Sequence, residues 1–429
     1  MLSFRANQRG VMRKTLSTFG VLIFSFLCAS TCTIAARWQS KAAGTGRVAT
    51  LNNRGLELYK QGKLDEAIAM FRQALAIDPK LEQALSNLGT ALEAKGKDDE
   101  AVVDLSHALQ LKPTDATAEN NLGLALYHQK KYAESIAAYQ RAIALHPNFA
   151  QAHNGLGIAL LHSGRTDEAI AAYRKAIALN PRYADAMNNL AAALDLKGQW
   201  DESIELYRRA LVIEPNALDV RKNLAAALAH AGRDEEATEV NRHIVASHPN
   251  DSDAWFELGH LLLKLGEVHE ATASLQRSLS LKANQPEAEF NLARAYQDEN
   301  KNADAIDAYR RGLLLQPNSA YGLFGLGVAL MQTGNLVGAQ DALEKSVALQ
   351  PENADAHFNL GNLLFTKKEY QSAAGRYREA IRLNPNLAHA HYNLGITLTA
   401  LKQYKEAALE LDEAHRLDVS LIPPEGSSN

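Results

Sequence analysis

Glu82–Asp115 reads EQALSNLGTALEAKGKDDEAVVDLSHALQLKPTD, and this 34-residue pattern recurs without insertion from Val48 to Leu421. Eleven copies account for 374 of the 429 residues, which leaves no second domain in the chain. Positions below are slots counted from the first residue of each copy. Slot 8 is Gly or Ala in every copy, from Gly55 and Gly89 to Gly395, and slot 20 is Ala or Ser in every copy, from Ala67 to Ala407. Slot 7 is Leu in ten copies, with Arg54 as the exception. Slot 32 is Pro in nine, which uses nine of the twelve prolines. A fixed period of this length specifies a solenoid whose units bury their apolar faces only by stacking on neighbours.

Each copy reads as two helices. Slots 4, 7, 8 and 11 carry apolar or small residues at helical spacing, and slot 15 is Gly in seven copies (Gly62, Gly96, Gly164, Gly198, Gly232, Gly266, Gly334), where a left-handed cap is expected. The second helix stops before the slot 32 proline. Small residues at slots 8 and 20 let the two helices approach closely in a close-packed interior.

With Leu88-Gly89, Ala101, Ala108 and Pro113 repeated in phase, the chain resembles the tetratricopeptide repeat family over these 374 residues. That resemblance implies an all-α, right-handed α-solenoid superhelix of about eleven helix-turn-helix units, whose concave wall of first helices holds a peptide or partner protein. Copy 7 departs from the pattern with Ala283 in the proline slot and copy 11 with Val419, so irregular exits are expected at both.

Composition excludes several other functions. The formal charge is −4; residues 1–36 hold Arg5, Arg9, Arg13 and Lys14 and no acid, leaving the rest at −8. A net-negative solenoid without a basic stripe is a poor binder of phosphate backbones, so no nucleic-acid partner is expected. The acid pairs Asp65-Glu66, Asp99-Glu100, Asp167-Glu168, Asp201-Glu202 and Glu235-Glu236 recur in slots 18 and 19, the first turn of the second helix, where they suit the helix dipole better than catalysis. His128, His162 and His230 share slot 13 and so lie whole repeats apart, while His389 and His391 are two apart on one helix and point to different sides. No metal, cofactor or catalytic residue is expected, and no phosphate loop, nucleophile elbow or zinc-helix motif occurs. The chain reads as a non-enzyme.

The N-terminus is of another kind. Four cations precede Thr15–Ala36, a stretch of twenty-two uncharged residues, and Thr33-Ile34-Ala35-Ala36 offers small residues suited to cleavage. Residues 1–36 are expected to be a secretory signal, with translation from Met1 or Met12, or else a membrane anchor through residues 15–36. Either reading exports the repeats, to the periplasm or the exterior. Cys28 and Cys32 fall inside this segment, so the rest of the chain has no thiol. Residues 37–47 read as a linker, and 422–429 as a short tail.

The informative slot for function is slot 6, occupied by Asn53, Asn87, Asn121, Asn189, Asn223, Asn291, Asn359 and Asn393, with Gly155, Glu257 and Gly325 as exceptions. At about 100° per residue, slots 2, 6, 9 and 13 share a face opposite the packing stripe. A carboxamide there offers donors and an acceptor to an extended peptide backbone. The same side chains can instead bond along the solenoid and stiffen it. The asparagine row resembles the repeat region of O-linked N-acetylglucosamine transferase, whose matching asparagines hold peptide backbone, yet only eight residues follow the last repeat here, so transferase activity is not implied. A role as the targeting arm of a separate transferase of that type is the alternative. The carboxylate clamp of chaperone-binding members needs a slot 5 cation with matching polar neighbours; Lys222 is followed by Ala226, Glu257 and Glu287, which do not fit.

Slot 5 divides the chain. Copies 1–6 carry Asn52, Ser86, Asn120, Asn154, Asn188 and Lys222; copies 7–11 carry Phe256, Phe290, Phe324, Phe358 and Tyr392. These rings either form an aromatic rail beside the asparagines, strengthening peptide binding in the C-terminal half, or fill the joints between first helices. Finally, Leu409, Leu411, Ala414 and Leu417 on the last helix are expected to need cover from a partner or a second copy of the chain.

Overall fold

The computed structural model describes residues 32–421, with side chains from Gly46 onward. The segment ahead of Cys32, with most of the signal or anchor reading and the Met12 start, and the tail 422–429 lie outside the described residues. Twenty-two helices run through the described residues with no strand. The first are α1 (Cys32–Lys60), α2 (Leu64–Ile77), α3 (Glu82–Ala94), α4 (Asp98–Leu111) and α5 (Ala116–His128), and the alternation continues to Tyr404–Leu417. Each copy holds one helix pair, as the sequence pattern requires. The linker expected at 37–47 is instead helical backbone within α1. Its Ala, Gln and Lys residues are good helix formers, and neither Gly44 nor Gly46 is followed by a proline to stop the helix. Among the described residues, no helix is long and apolar enough to cross a membrane.

The described helices form two compact units, one ending at Ala231 and the other beginning at Gly232, at the turn inside copy 6. Within each, every helix packs on the next in sequence. Successive first helices also touch directly, as α1 with α3 and α3 with α5, whereas no pair of successive second helices meets to that extent. The first helices therefore line the tighter side of each row.

What sets the spacing inside a copy is the contact between slots 8 and 24. A Cβ added to Gly55 would lie 2.5 Å from the Phe71 ring, one on Gly89 2.5 Å from Leu105, on Gly157 2.5 Å from Tyr173, and on Gly361 2.7 Å from Tyr377. The large slot 24 side chain sits directly on the glycine backbone, and Phe71, Leu105 and Tyr173 are completely buried. Slot 20 closes the same joint from the other helix: ten of its residues are fully buried and Ala407 nearly so. Slots 3 and 10, mostly Ala, are buried as well, because they face the second helix of the preceding copy.

All eleven slot 15 residues have positive φ. Besides the seven glycines, Lys130 (62°), Asn300 (60°), Lys368 (64°) and Lys402 (63°) adopt the left-handed conformation. The turn thus imposes its geometry even where a side chain is strained by it.

The exit turns explain slot 4. The prolyl carbonyl of one copy accepts a hydrogen bond from the slot 4 side chain of the next: His153 Nε2 to Pro147 at 3.0 Å, Trp255 Nε1 to Pro249 at 3.0 Å, His357 Nε2 to Pro351 at 3.0 Å and His391 Nε2 to Pro385 at 3.1 Å. Arg221 reaches the Pro215 carbonyl in the same way, so five slot 4 side chains share this bond. At copy 7, where Ala283 replaces proline, the usual turn is lost and the Gln285 side chain donates to Lys282 O at 2.7 Å and Ser278 Oγ at 3.0 Å. The exit of copy 11 is regular despite Val419: Leu421 N donates to Asp418 O at 3.0 Å, as Asn353 N does to Gln350 O at 3.2 Å in copy 9. The expected irregularity there does not occur, because the turn hydrogen bond does not need the proline ring. The last helix is likewise less bare than expected. Leu411 and Ala414 are buried against the first helix of their own copy and Leu417 is half-buried, so only Leu409 stands exposed among the four.

Replacing Lys130, Lys368 or Lys402 by glycine should each raise stability by about 0.5–1 kcal/mol, since glycine meets positive φ without strain. Chemical denaturation of the single variants measures it; an unchanged or lower midpoint would contradict the strain argument.

Candidate functional site

The slot 6 asparagines form a ladder along each row of first helices. In the N-terminal unit Asn87 Nδ2 donates to Asn52 Oδ1 at 3.0 Å, Asn189 Nδ2 to Asn154 Oδ1 at 3.1 Å and Asn223 Nδ2 to Asn188 Oδ1 at 3.0 Å. In each case a slot 6 donor reaches the slot 5 acceptor of the preceding copy. Where slot 5 cannot accept in this way, the partner moves one turn on, to slot 9: Asn121 Nδ2 donates to Thr90 Oγ1 at 2.7 Å, and in the C-terminal unit Asn393 Nδ2 donates to Asn362 Oδ1 at 2.8 Å while Asn291 Nδ2 meets His260 Nδ1 at 3.3 Å. Asn359, whose slot 9 neighbour is Val328, turns back to its own helix and donates to Asp355 O at 2.9 Å. The aromatic slot 5 of the C-terminal unit thus dictates which atom each asparagine can use.

The inter-repeat bonding that stiffens the row is therefore present. It consumes one of the two Nδ2 hydrogens, leaving the second on Asn87, Asn223 and Asn291 and a carbonyl oxygen on these three and on Asn393, whose amide also meets the Tyr377 phenol. Exposure separates the eight. Asn53 is exposed, and Asn87, Asn223, Asn291, Asn359 and Asn393 are half-buried, but Asn121 and Asn189 are only 5% and 6% exposed and are removed from any open surface.

Two of the three gaps in the ladder, Gly155 and Gly325, have a steric cause. A Cβ on Gly155 would lie 2.4 Å from the Tyr139 ring, and one on Gly325 2.2 Å from the Tyr309 ring. In both places the slot 24 tyrosine of the preceding copy extends beneath slot 6. Tyr309 Oη then donates to Gln297 Oε1 at 2.7 Å. No side chain fits above these rings.

The slot 5 rings do not form a continuous rail. Phe290 is buried at 3% exposure, wedged where Gly312 and Gly322 have no side chains, and it contacts the Tyr309 and Tyr321 rings. That correction follows from glycine in slot 27 of copy 8 and slot 3 of copy 9, which open a space only a ring fills. Phe256, Phe324, Phe358 and Tyr392 are half-buried; Phe324 and Phe358 pack on the core, and Phe256 stacks on His260 at 6.3 Å. Phe324 and Phe358 thus fill core joints while staying partly exposed.

Several acids of slots 18 and 19 meet cations of neighbouring copies, while Glu168 and Glu236 pair with Arg165 and Arg233 of their own copies. Asp65 meets Lys95 and Asp167 meets Lys197, while Arg174 reaches Glu202 and Arg378 reaches Glu406 at 2.9 and 2.8 Å. Arg141 clasps the buried Glu119 with two bonds of 2.7 and 2.8 Å, and Arg311 does the same to Glu289. The first four pairs join neighbouring copies, whereas Glu119 and Glu289 are held by arginines of their own copies. The exposed pairs each contribute at most about 1 kcal/mol.

Tetratricopeptide repeat models match residues 120–182, 154–217, 290–344, 196–258 and 252–285, and a further repeat model of the same kind matches 55–96, 91–130 and 361–401. No curated protein matches the chain. Among solved structures, MamA is similar at 32% identity over 38% of this chain and 94% of that one, with a TM-score of 0.35. The Pseudomonas aeruginosa pilF protein is similar at 18% identity over 52% of this chain and 99% of that one, with a TM-score of 0.45. YrrB, described as a TPR protein with an unusual peptide-binding site, is similar at 21% identity over 43% of this chain and 96% of that one, with a TM-score of 0.38.

Introducing the consensus asparagine at Gly155 or Gly325 should cost about 1–3 kcal/mol, because its Cβ would overlap a buried tyrosine ring. Thermal unfolding measures the loss, and a neutral effect would mean that the tyrosine moves freely. With the same helix pair in every copy and repeat models covering most of the chain, this protein belongs to the tetratricopeptide repeat family.

Proposed function

We propose that the chain is an exported, non-catalytic scaffold that holds extended segments of partner proteins along its first helices. The observation that carries this reading is the state of the half-exposed asparagines. Each is fixed in direction by a bond to its own row and still offers a hydrogen-bonding group to solvent. A side chain already ordered loses little entropy when a ligand arrives. Neighbouring helices lie about 8–10 Å apart, so successive asparagines meet an extended chain about every third residue. Backbone recognition of this kind is tolerant of side-chain sequence, which suits a scaffold with several clients. The half-buried slot 5 rings add apolar contact on one side of the C-terminal row.

Asn359 provides the cleanest test, because its bond runs to its own helix and its loss leaves the inter-repeat ladder intact. Fluorescence titration of a labelled random peptide pool should show binding to the full chain that weakens about 2- to 10-fold in Asn359→Ala, the worth of one hydrogen bond. Equal affinity of wild type and variant would remove the asparagines from the binding face.

Export rests on the cationic start and uncharged run of residues 1–36. A fusion of residues 1–47 to alkaline phosphatase should be enzymatically active, since that reporter works only after translocation; an inactive, stable fusion would place the repeats in the cytoplasm.

A further inference from the structure

We propose that Glu93, Asp98 and His128 form a binding site for one divalent transition cation of the zinc type. Glu93 lies in the last turn of α3, Asp98 opens α4, and His128 closes α5 in the next copy. His128 Nδ1 is 3.1 Å from Asp98 Oδ1 and 3.4 Å from Glu93 Oε1, and one ligand atom of each residue lies within 4.8 Å of the other two. Around a tetrahedral ion with bonds of about 2.0–2.2 Å, ligand atoms stand about 3.3–3.5 Å apart. The imidazole thus already stands from each carboxylate at about the separation that such an ion imposes, the two carboxylates lie within 4.8 Å of each other, and a fourth position is left for water.

The electrostatics favour a cation. Glu93 is only 5% exposed. The Tyr59 and Tyr139 phenols are held above their ordinary range, first by burial and then by the negative charge of Glu93. The lysines flanking this turn point elsewhere, Lys95 to Asp65 and Lys97 to Glu100. A bound cation would supply positive charge where two carboxylates converge, replacing the Nδ1 proton that links the ring to them.

The repeat itself provides a control. The same three slots one copy later hold Tyr127, Tyr132 and His162, whose rings stack at 5.1–5.9 Å, and two copies beyond that they hold Asp195, Trp200 and His230. The backbone junction is shared, but of these only the Glu93 site brings three metal-binding groups together. One nitrogen and two oxygens suit zinc-type ions; Ca2+ requires six or more oxygens, and Mg2+ keeps its waters.

The test uses the full chain carrying Cys28→Ser and Cys32→Ser, because the only two thiols of the sequence would otherwise compete for the ion. Calorimetric titration with Zn2+ should show one equivalent bound, and Co2+ should give the visible absorption of a tetrahedral site. Both signals should weaken at least about tenfold in His128→Gln and in Asp98→Asn and be unchanged in His162→Gln. Circular dichroism of each variant checks that the repeats remain folded, and the near-isosteric Glu93→Gln is a second route should one variant unfold. The thermal midpoint of the parent should rise with Zn2+ but not with Ca2+ or Mg2+. Absence of binding, binding that survives in His128→Gln, or equal loss in His162→Gln would each overturn the proposal.

Discussion

The structure depends on one close approach, in which a large slot 24 side chain rests on a slot 8 backbone that has little or no side chain. Eight glycines serve this contact, from Gly55 against Phe71 to Gly395 against Leu411. A methyl group at those points would meet ring or branch atoms at 3.0 Å or less, so helix separation is fixed by contact rather than by average hydrophobicity. The same contact repeated along each row keeps the helix pairs in register. It also makes each pair a surface that only another pair can cover, which is why a solenoid of this kind is stable as a row and not as single units.

The asparagine ladder is a second, weaker order laid on this frame. Its acceptor is chosen by what stands in slot 5. Where slot 5 is asparagine, the slot 6 amide reaches it; where slot 5 is a ring, the amide reaches slot 9 or its own backbone. Two of its three interruptions lie over slot 24 rings, since Tyr139 and Tyr309 extend under Gly155 and Gly325. In the proposed reading, stiffening and binding share the same side chains, the inter-repeat bond orienting an amide that keeps part of its hydrogen-bonding capacity.

Much of this was legible in the chain. The slot 15 glycines announced seven left-handed turns; the other four, at Lys130, Asn300, Lys368 and Lys402, were not singled out, because those residues carry no local sign of positive φ. The acid pairs read as structural, and Asp65, Asp167 and Glu202 among them meet cations one copy away. Other features were hidden. Phe290 looked like its slot mates but is buried, because the space it fills is made by Gly312 and Gly322, residues 22 and 32 positions on. The slot 4 histidines were not singled out, although the proline six residues before each of them carries the carbonyl they bind. His128 gave no sign of its neighbours, since Glu93 and Asp98 belong to the copy before it.

A period of 34 residues, with small residues and prolines in fixed phase, determines by itself the all-helical solenoid, the pairing of helices and the position of each turn, because these follow from local geometry repeated without interruption. Exposure was decided only by tertiary packing. Two asparagines of eight lie under cover, one ring of five is wedged into the core, and an imidazole meets two carboxylates from the preceding copy. The physical reason is that equivalent slots share a backbone environment but not their neighbours, and burial is a property of neighbours.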